Sequence, residues 1–171
     1  MNYFDVINSR YSVRKYSDRE VSDAHLNKIL EAGNLAPTSK NFQPQRIFVL
    51  KSKEAVEKLA KGCTPCLFNA PIKLLICHDS ESSSKRPSDN EDVGVTDAAI
   101  VTTHMMLAAT ALGLGSCWIG LIDPAKIKKE YSLPDNIVPH YLLYIGYAAE
   151  GLPADPRHYT RKPITETVKF V

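Results

Sequence analysis

Net charge is almost absent from this chain: 21 Lys and Arg stand against 19 Asp and Glu, leaving +2 over 171 residues. A sequence-independent grip on nucleic acid needs a basic surface, so that class is excluded and any cationic site must be local. Long apolar runs are lacking as well. The most apolar long segment, 97–114, is interrupted by Thr102, Thr103, His104 and Thr110, too short and too polar to span a bilayer. The first ten residues, MNYFDVINSR, hold no apolar stretch of the kind that marks a secretory signal. The expected location is therefore the cytoplasm, where Cys63, Cys66, Cys77 and Cys117 are kept reduced. GxSxG and HExxH are missing, which removes the common serine hydrolases and zinc proteases. Cys63 and Cys66 form one CxxC with no second to complete a zinc site, and it does not open the helix of a βαβ unit. Two neighbouring thiols are the expected state. A thiol-redox or zinc-binding regulator built on this pair is the alternative from another class, and metal analysis separates the two.

What remains is a globular composition, 44% hydrophobic and 23% charged, with neither internal repeat nor linker, so residues 1–171 are expected to form one domain. A short helix is expected over 1–9 and an extended segment over 10–16. Ser22 is a good N-cap for a helix running to about Leu35, with Leu26, Ile29 and Leu30 at helical spacing. Strands are expected at 47–50, 72–77, 117–121 and 141–147, with a further strand-like run TVKFV at the end of a proline-containing tail. Helices are expected at 53–61, at 93–112 (ending at Gly113) and after Pro124. The polar stretch 80–92, SESSSKRPSDNED, has little apolar content to pack and is expected to be a mobile surface excursion. Helices and strands mix without regular βαβ alternation, which favours an α+β layer architecture. The helix over 93–112 is apolar nearly all round, so it needs cover on every side, and a subunit interface is one way to provide it. His104 and the polar Asp97 and Thr102 on it are expected to be core or interface groups with local partners.

Three segments carry chemistry. In an extended chain residues two apart share a face, so Arg10, Ser12 and Arg14 would present two guanidinium forks and a hydroxyl together, a set suited to a phosphate or simply to water. The loop from Ala36 through Pro37, Thr38, Ser39 and Asn41 to Gln45 concentrates hydroxyls and amides that could read the edge of a flat heterocycle, or form a plain surface turn. The glycines of GLGSCWIG (113–120) follow a helix and enter a strand. That order is the reverse of a dinucleotide fingerprint, but it lets a flat ligand approach backbone N–H groups closely.

In this order, SRYSVRKY (9–16), APTSKNFQPQRIFVL (36–50), FNAP (68–71), DAAIVTTHMMLAATALGLGSCWIG (97–120) and the Arg161-Lys-Pro163 triplet resemble the nitroreductase family of flavoproteins nearly end to end. The resemblance implies a three-layer α+β fold, with a central, mostly antiparallel sheet flanked by helices and a C-terminal arm exchanged in a homodimer. It implies FMN at the subunit interface and ping-pong transfer from NADH or NADPH through flavin N5 to a small electron-poor acceptor, a nitroaromatic or quinone. It places Arg10, Ser12 and Arg161 at the phosphate and ribityl end and Arg14 near the N1/O2 edge. Pro37, Thr38, Ser39 and Asn41 would come from the other subunit, Asn69 would meet the pyrimidine edge, and Cys117, Trp118, Ile119 and Gly120 would line the ring. No protein acid or base is implied, since the flavin carries the chemistry. A reductive dehalogenase or a flavin-storage protein on the same scaffold would share these residues. Many relatives carry a lysine shortly after the position of Asn69; here Pro71, Ile72 and Lys73 follow.

Overall fold

The computed structural model describes residues 2–63 and 67–171. Local sequence chemistry sets most of its helix ends. Asn2 and Asp5 form a reciprocal capping box that starts α1 (Tyr3–Ser9). Ser22 accepts from the His25 amide at the start of α2 (Asp23–Asn34), and Ser52 does the same for α3 (Lys53–Gly62). The long α4 (Gly94–Ala111) stops at Gly113, whose φ of +76° only glycine adopts without strain. Pro124 opens α5 (Pro124–Tyr131) behind an Asp123 cap.

Four strands, β1 (Gln45–Leu50), β2 (Ile72–Asp79), β3 (Gly115–Ile119) and β4 (Ile137–Gly146), form an antiparallel sheet in the order β1-β2-β4-β3. Alternate residues of the central strands feed two cores. Leu75, Leu142 and Tyr144 pack with Leu59 of α3 and Ile127 of α5. Leu74, Ile76, Leu143 and Ile145 pack on the other face with Ile29 of α2 and Val101 and Met105 of α4. The result is helix, sheet and helix in three layers, because β2 and β4 are apolar on both faces. Among the described residues no helix is long and apolar enough to cross a membrane.

Two departures from expectation bear on function. The terminal run forms no strand: Pro156–Tyr159 is a 3-10 turn, α6 (Ile164–Thr167) is a single helical turn, and 168–171 follow as exposed coil. Among the described residues TVKFV pairs with no strand, so its backbone groups gain no ladder hydrogen bonds. The stretch 80–92 is an ordered, bonded loop. Ser83 and Ser84 are buried, Lys85 bridges to Asp92, and Asp92 accepts from Lys85 Nζ and Ser83 Oγ, each at 2.5 Å. Its polar side chains bond one another, which supplies the order that apolar packing could not.

That loop is anchored by a β-bulge. β2 and β4 slip register between Ile76 and Cys77, pairing Ile76 with Tyr141 and Cys77 with Pro139. His140 is the extra residue. A bulge re-aims a side chain, and here His140 Nε2 comes within 2.6 Å of His78 Nδ1, while His78 Nε2 lies 3.2 Å from Asp92 Oδ2. Gly94 presses on the same group: a Cβ there would meet His78 Cδ2 at 2.1 Å. Gly94→Ala is therefore expected to cost about 1–3 kcal/mol by overpacking, a fall of several degrees in Tm. A calorimetric scan indistinguishable from wild type would show that His78 can yield.

Candidate functional site

The segment 10–16 runs along the open edge of β3. Val13 N donates to Ser116 O at 2.9 Å, and Ser12 and Ser116 form a parallel bridge. Tyr16 is buried and bridges to Ala148. The Asn69 amide clamps Tyr16 from both sides, accepting from its N–H at 2.9 Å and donating to its C=O at 2.8 Å. This fixes the direction of the chain through Arg14.

Arg10, Ser12 and Arg14 then share one cavity, of about 280 Å³, as their alternation predicts. Its other walls come from the tail: Asp155, Arg157, His158 and Arg161. The 3-10 turn after Asp155 folds this part of the tail back onto the chain's own segment 10–14. Arg161 is held by the carbonyls of His158 and Thr160, and the His158 ring packs edge-on to Tyr11 at 6.2 Å. Four guanidinium groups thus face one carboxylate. Asp155 takes Arg157 at 2.7 Å and Arg14 at 3.7 Å, and hydrogen bonds from the Arg157 side chain and amide hold its carboxyl well below the usual range. The excess of positive charge calls for a multiply charged anion.

A second, smaller cleft of about 190 Å³ adjoins this cradle, and Ser12 and Arg14 line both. Phe68, Cys117, Trp118, Ile119, Gly120 and Leu121 complete it. It lies along the side of β3 that faces away from β4. Backbone groups alternate along a strand, and Ser116 directs its carbonyl outward to Val13, so Trp118 presents its own N–H to the same side. Trp118 is braced by the Tyr141 ring, edge-on at 4.8 Å. Charge at one end and a flat apolar slot with outward N–H groups at the other suit an elongated ligand with a phosphate tail.

The remaining expected residues lie elsewhere. Pro37, Thr38, Ser39 and Asn41 line neither cavity. They form a tight turn over the start of α4, with Ser39 N donating to Asp97 Oδ1 at 2.8 Å and Gln43 N to Thr38 Oγ1 at 3.0 Å. Asn69 supports the site through Tyr16. Lys73 is turned into the core, where Nζ donates to Ala70 O at 2.5 Å and lies 5.7 Å from the Tyr144 ring centre, and burial lowers its pKa. Of the CxxC pair behind the thiol-redox or zinc alternative, Cys63 is buried and bonds Leu121 O at 3.5 Å; Cys66 lies outside the described residues. Thr102 bonds Ala98 O at 2.7 Å within its helix, as expected of a buried threonine, whereas His104 is exposed in the single chain. Asp155, Arg157 and His158 were not foreseen. The signal was available in DPRHYTR (155–161), a capping Asp-Pro followed by Arg157, His158 and Arg161.

Comparison with known proteins places this arrangement. The nitroreductase family model matches residues 7–75 and 60–147. A crystal structure of a nitroreductase family protein from Clostridium difficile 630 superposes with a TM-score of 0.92 at 40% identity, covering 99% of this chain and 98% of that one. An FMN-dependent nitroreductase from Clostridium difficile R20291 superposes with a TM-score of 0.78 at 30% identity, covering 98% of each. An Archaeoglobus fulgidus protein with the provisional name NADH dehydrogenase/NAD(P)H nitroreductase is 34% identical over 148 residues, 83% of each chain. The chain belongs to the nitroreductase family.

Proposed function

We propose that the protein is an FMN-dependent oxidoreductase that passes reducing equivalents from NADH or NADPH to a small electron-poor acceptor such as a nitroaromatic or a quinone. The observation that carries this is that Ser12 and Arg14 line both the cationic cradle and the adjoining apolar slot. A dianionic phosphate fits the cradle of Arg10, Ser12, Arg157 and Arg161, and a planar ring fits the slot beside Cys117, Trp118, Ile119 and Gly120. Arg14, which lines both cavities, would lie beside the ring edge where negative charge gathers on reduction, and a guanidinium there would favour the reduced anion. Asn69 and Tyr16 hold that arginine's strand in place. FMN held there would supply the redox chemistry, passing reducing equivalents from the nicotinamide to the acceptor. The protein's share is binding, orientation and charge.

The same reading makes residues 1–171 one domain of a cytoplasmic homodimer. Two features support the dimer. The turn carrying Pro37, Thr38, Ser39 and Asn41 lies away from its own chain's cleft, so it is free to meet a partner's flavin. The outer side of α4, with Val95 and His104, and the tail beyond Arg161, with Ile164, Val168 and Phe170, are left uncovered.

Purified protein is expected to be yellow, or to become so with FMN, and to bleach anaerobically with one of the two nicotinamides. Nitroaromatic, quinone and halogenated acceptors then separate a nitroreductase or quinone reductase from a dehalogenase. A protein that stays colourless with added FMN overturns the reading; yellow protein that neither nicotinamide bleaches reduces it to a flavin store. Light scattering should return the mass of two chains, and a monomer with FMN bound would remove the interface assignment.

A further inference from the structure

The turn over 38–43 is an improbable piece of backbone. Lys40, Asn41 and Gln43 all adopt left-handed conformations, with φ of 53°, 56° and 51°. Each costs energy in a residue that has a Cβ. Such a turn persists only if its surroundings over-determine it. Internal bonds contribute: Asn41 N to Thr38 O at 3.0 Å, Phe42 N to Ser39 O at 3.1 Å and Gln43 N to Thr38 Oγ1 at 3.0 Å. The tie to the body of the protein is Ser39 N to Asp97 Oδ1, at 2.8 Å and 58 residues away in sequence.

Asp97 is itself unusual. It stands in the first turn of α4, is 2% exposed, and its Oδ2 has no hydrogen-bond partner among the described residues. A buried acid with an unmet oxygen is expensive, and valine or threonine would fill the position without that cost. We infer that Asp97 is a positioning residue, which holds the 38–43 turn through the Ser39 amide in the one conformation that presents Thr38, Ser39 and Asn41 to the flavin ring. The inference rests on the flavin reading above and adds to it the residue that sets the ring-side half of the site. Asp97 does not touch the flavin; it acts through the backbone, and its position inside α4 makes it rigid where the turn is strained.

The test uses hydrogen exchange of the FMN-free protein together with affinity for FMN and for riboflavin, which lacks the phosphate. Asp97→Ala is expected to speed exchange of the amides from Ser39 to Gln43 about 10-fold or more, and to weaken FMN and riboflavin by a common factor of about 10. Asp97→Asn keeps an oxygen for the Ser39 amide and should restore protection and affinity to within about 3-fold of wild type. Should Asp97→Ala fail to fold, Ser39→Pro deletes the amide from the turn side. Thr38 is extended, with φ −129° and ψ 160°, as a residue before proline must be. Ser39→Ala, which removes the hydroxyl and keeps the amide, is its control: the proline variant should speed exchange of the turn amides and weaken both flavins by about a further 10-fold beyond whatever the alanine variant loses. Unchanged exchange, or faster exchange with unchanged flavin affinity, overturns the inference. Absence of flavin binding in wild type would instead overturn the flavin reading and leave the exchange result standing on its own.

Discussion

Arg10→Ala is expected to raise the dissociation constant for FMN by about 10–100-fold, the loss that follows from deleting one charge-assisted contact to a phosphate. Riboflavin binding should stay within about 2-fold, because the guanidinium lies in the cradle and not in the slot beside β3. Arg14→Ala should behave differently. Arg14 lines both cavities, so its loss should weaken both ligands and also lower the potential of bound flavin, since a cation near the N1/O2 edge would be gone. Asp155 supplies the opposite perturbation. Its carboxylate lies among Arg14 and Arg157 where an incoming phosphate would compete for the same donors. Asp155→Asn should therefore tighten FMN and steepen the fall of affinity with salt, as more uncompensated charge meets the phosphate. Equal losses for FMN and riboflavin in Arg10→Ala would show that the cradle is not where the phosphate goes.

How much of this was legible beforehand depended on whether the information was local. Ser22, Pro124 and Gly113 mark helix ends through their own backbone chemistry, and the structure has them there. The alternation of Arg10, Ser12 and Arg14 is equally local and places the three on one cavity wall. Failures came where partners across the fold decide. β4 was expected over 141–147, yet the strand starts at Ile137: Pro139 sits opposite Cys77 beside the bulge, where a missing N–H is tolerated. β3 was expected to begin at Cys117, since Gly115 reads as turn; pairing with Gly146 on β4 starts it two residues earlier. The Asn69 amide could not be assigned from sequence, because its bonds to Tyr16 span 53 positions. The polar loop 80–92 was misjudged for the same reason. Its internal bonds are joined by one between Asp92 and His78, on a strand whose position beside the loop composition alone cannot show.

His78 and His140 give stability a pH dependence that one substitution should remove. Asp92 is held well below the usual carboxylate range: burial acts to raise it, but hydrogen bonds from Lys85, Ser83, the Gly94 amide and His78 outweigh that. Its carboxylate oxygen accepts, so His78 Nε2 carries a hydrogen; in the neutral ring Nδ1 is then a lone pair, and His140 Nε2–H is the donor across the 2.6 Å contact. Protonated together, the rings would set N–H against N–H. Burial first, and the neighbouring His78 second, accordingly depress His140 from 6.5 to about 4, with Asp92 opposing. As pH falls from 6.5 towards about 4, the unfolded chain takes up a proton at this position that the folded chain refuses. The unfolded state then binds more protons and stability drops. Allowing for partial solvent screening, the loss is about 1–3 kcal/mol. The Asp92 contribution is lost in the same direction but only below its unfolded value of 3.8, so urea titrations at about pH 7 and pH 5 sample His140 without it. His140→Gln can still donate to His78 and cannot titrate. Its midpoint should fall by less than wild type between the two pH values, and the loop 80–92 should keep its protection from exchange at about pH 5. Parallel losses in both proteins would assign the acid sensitivity to other groups and leave the histidine pair a purely structural contact.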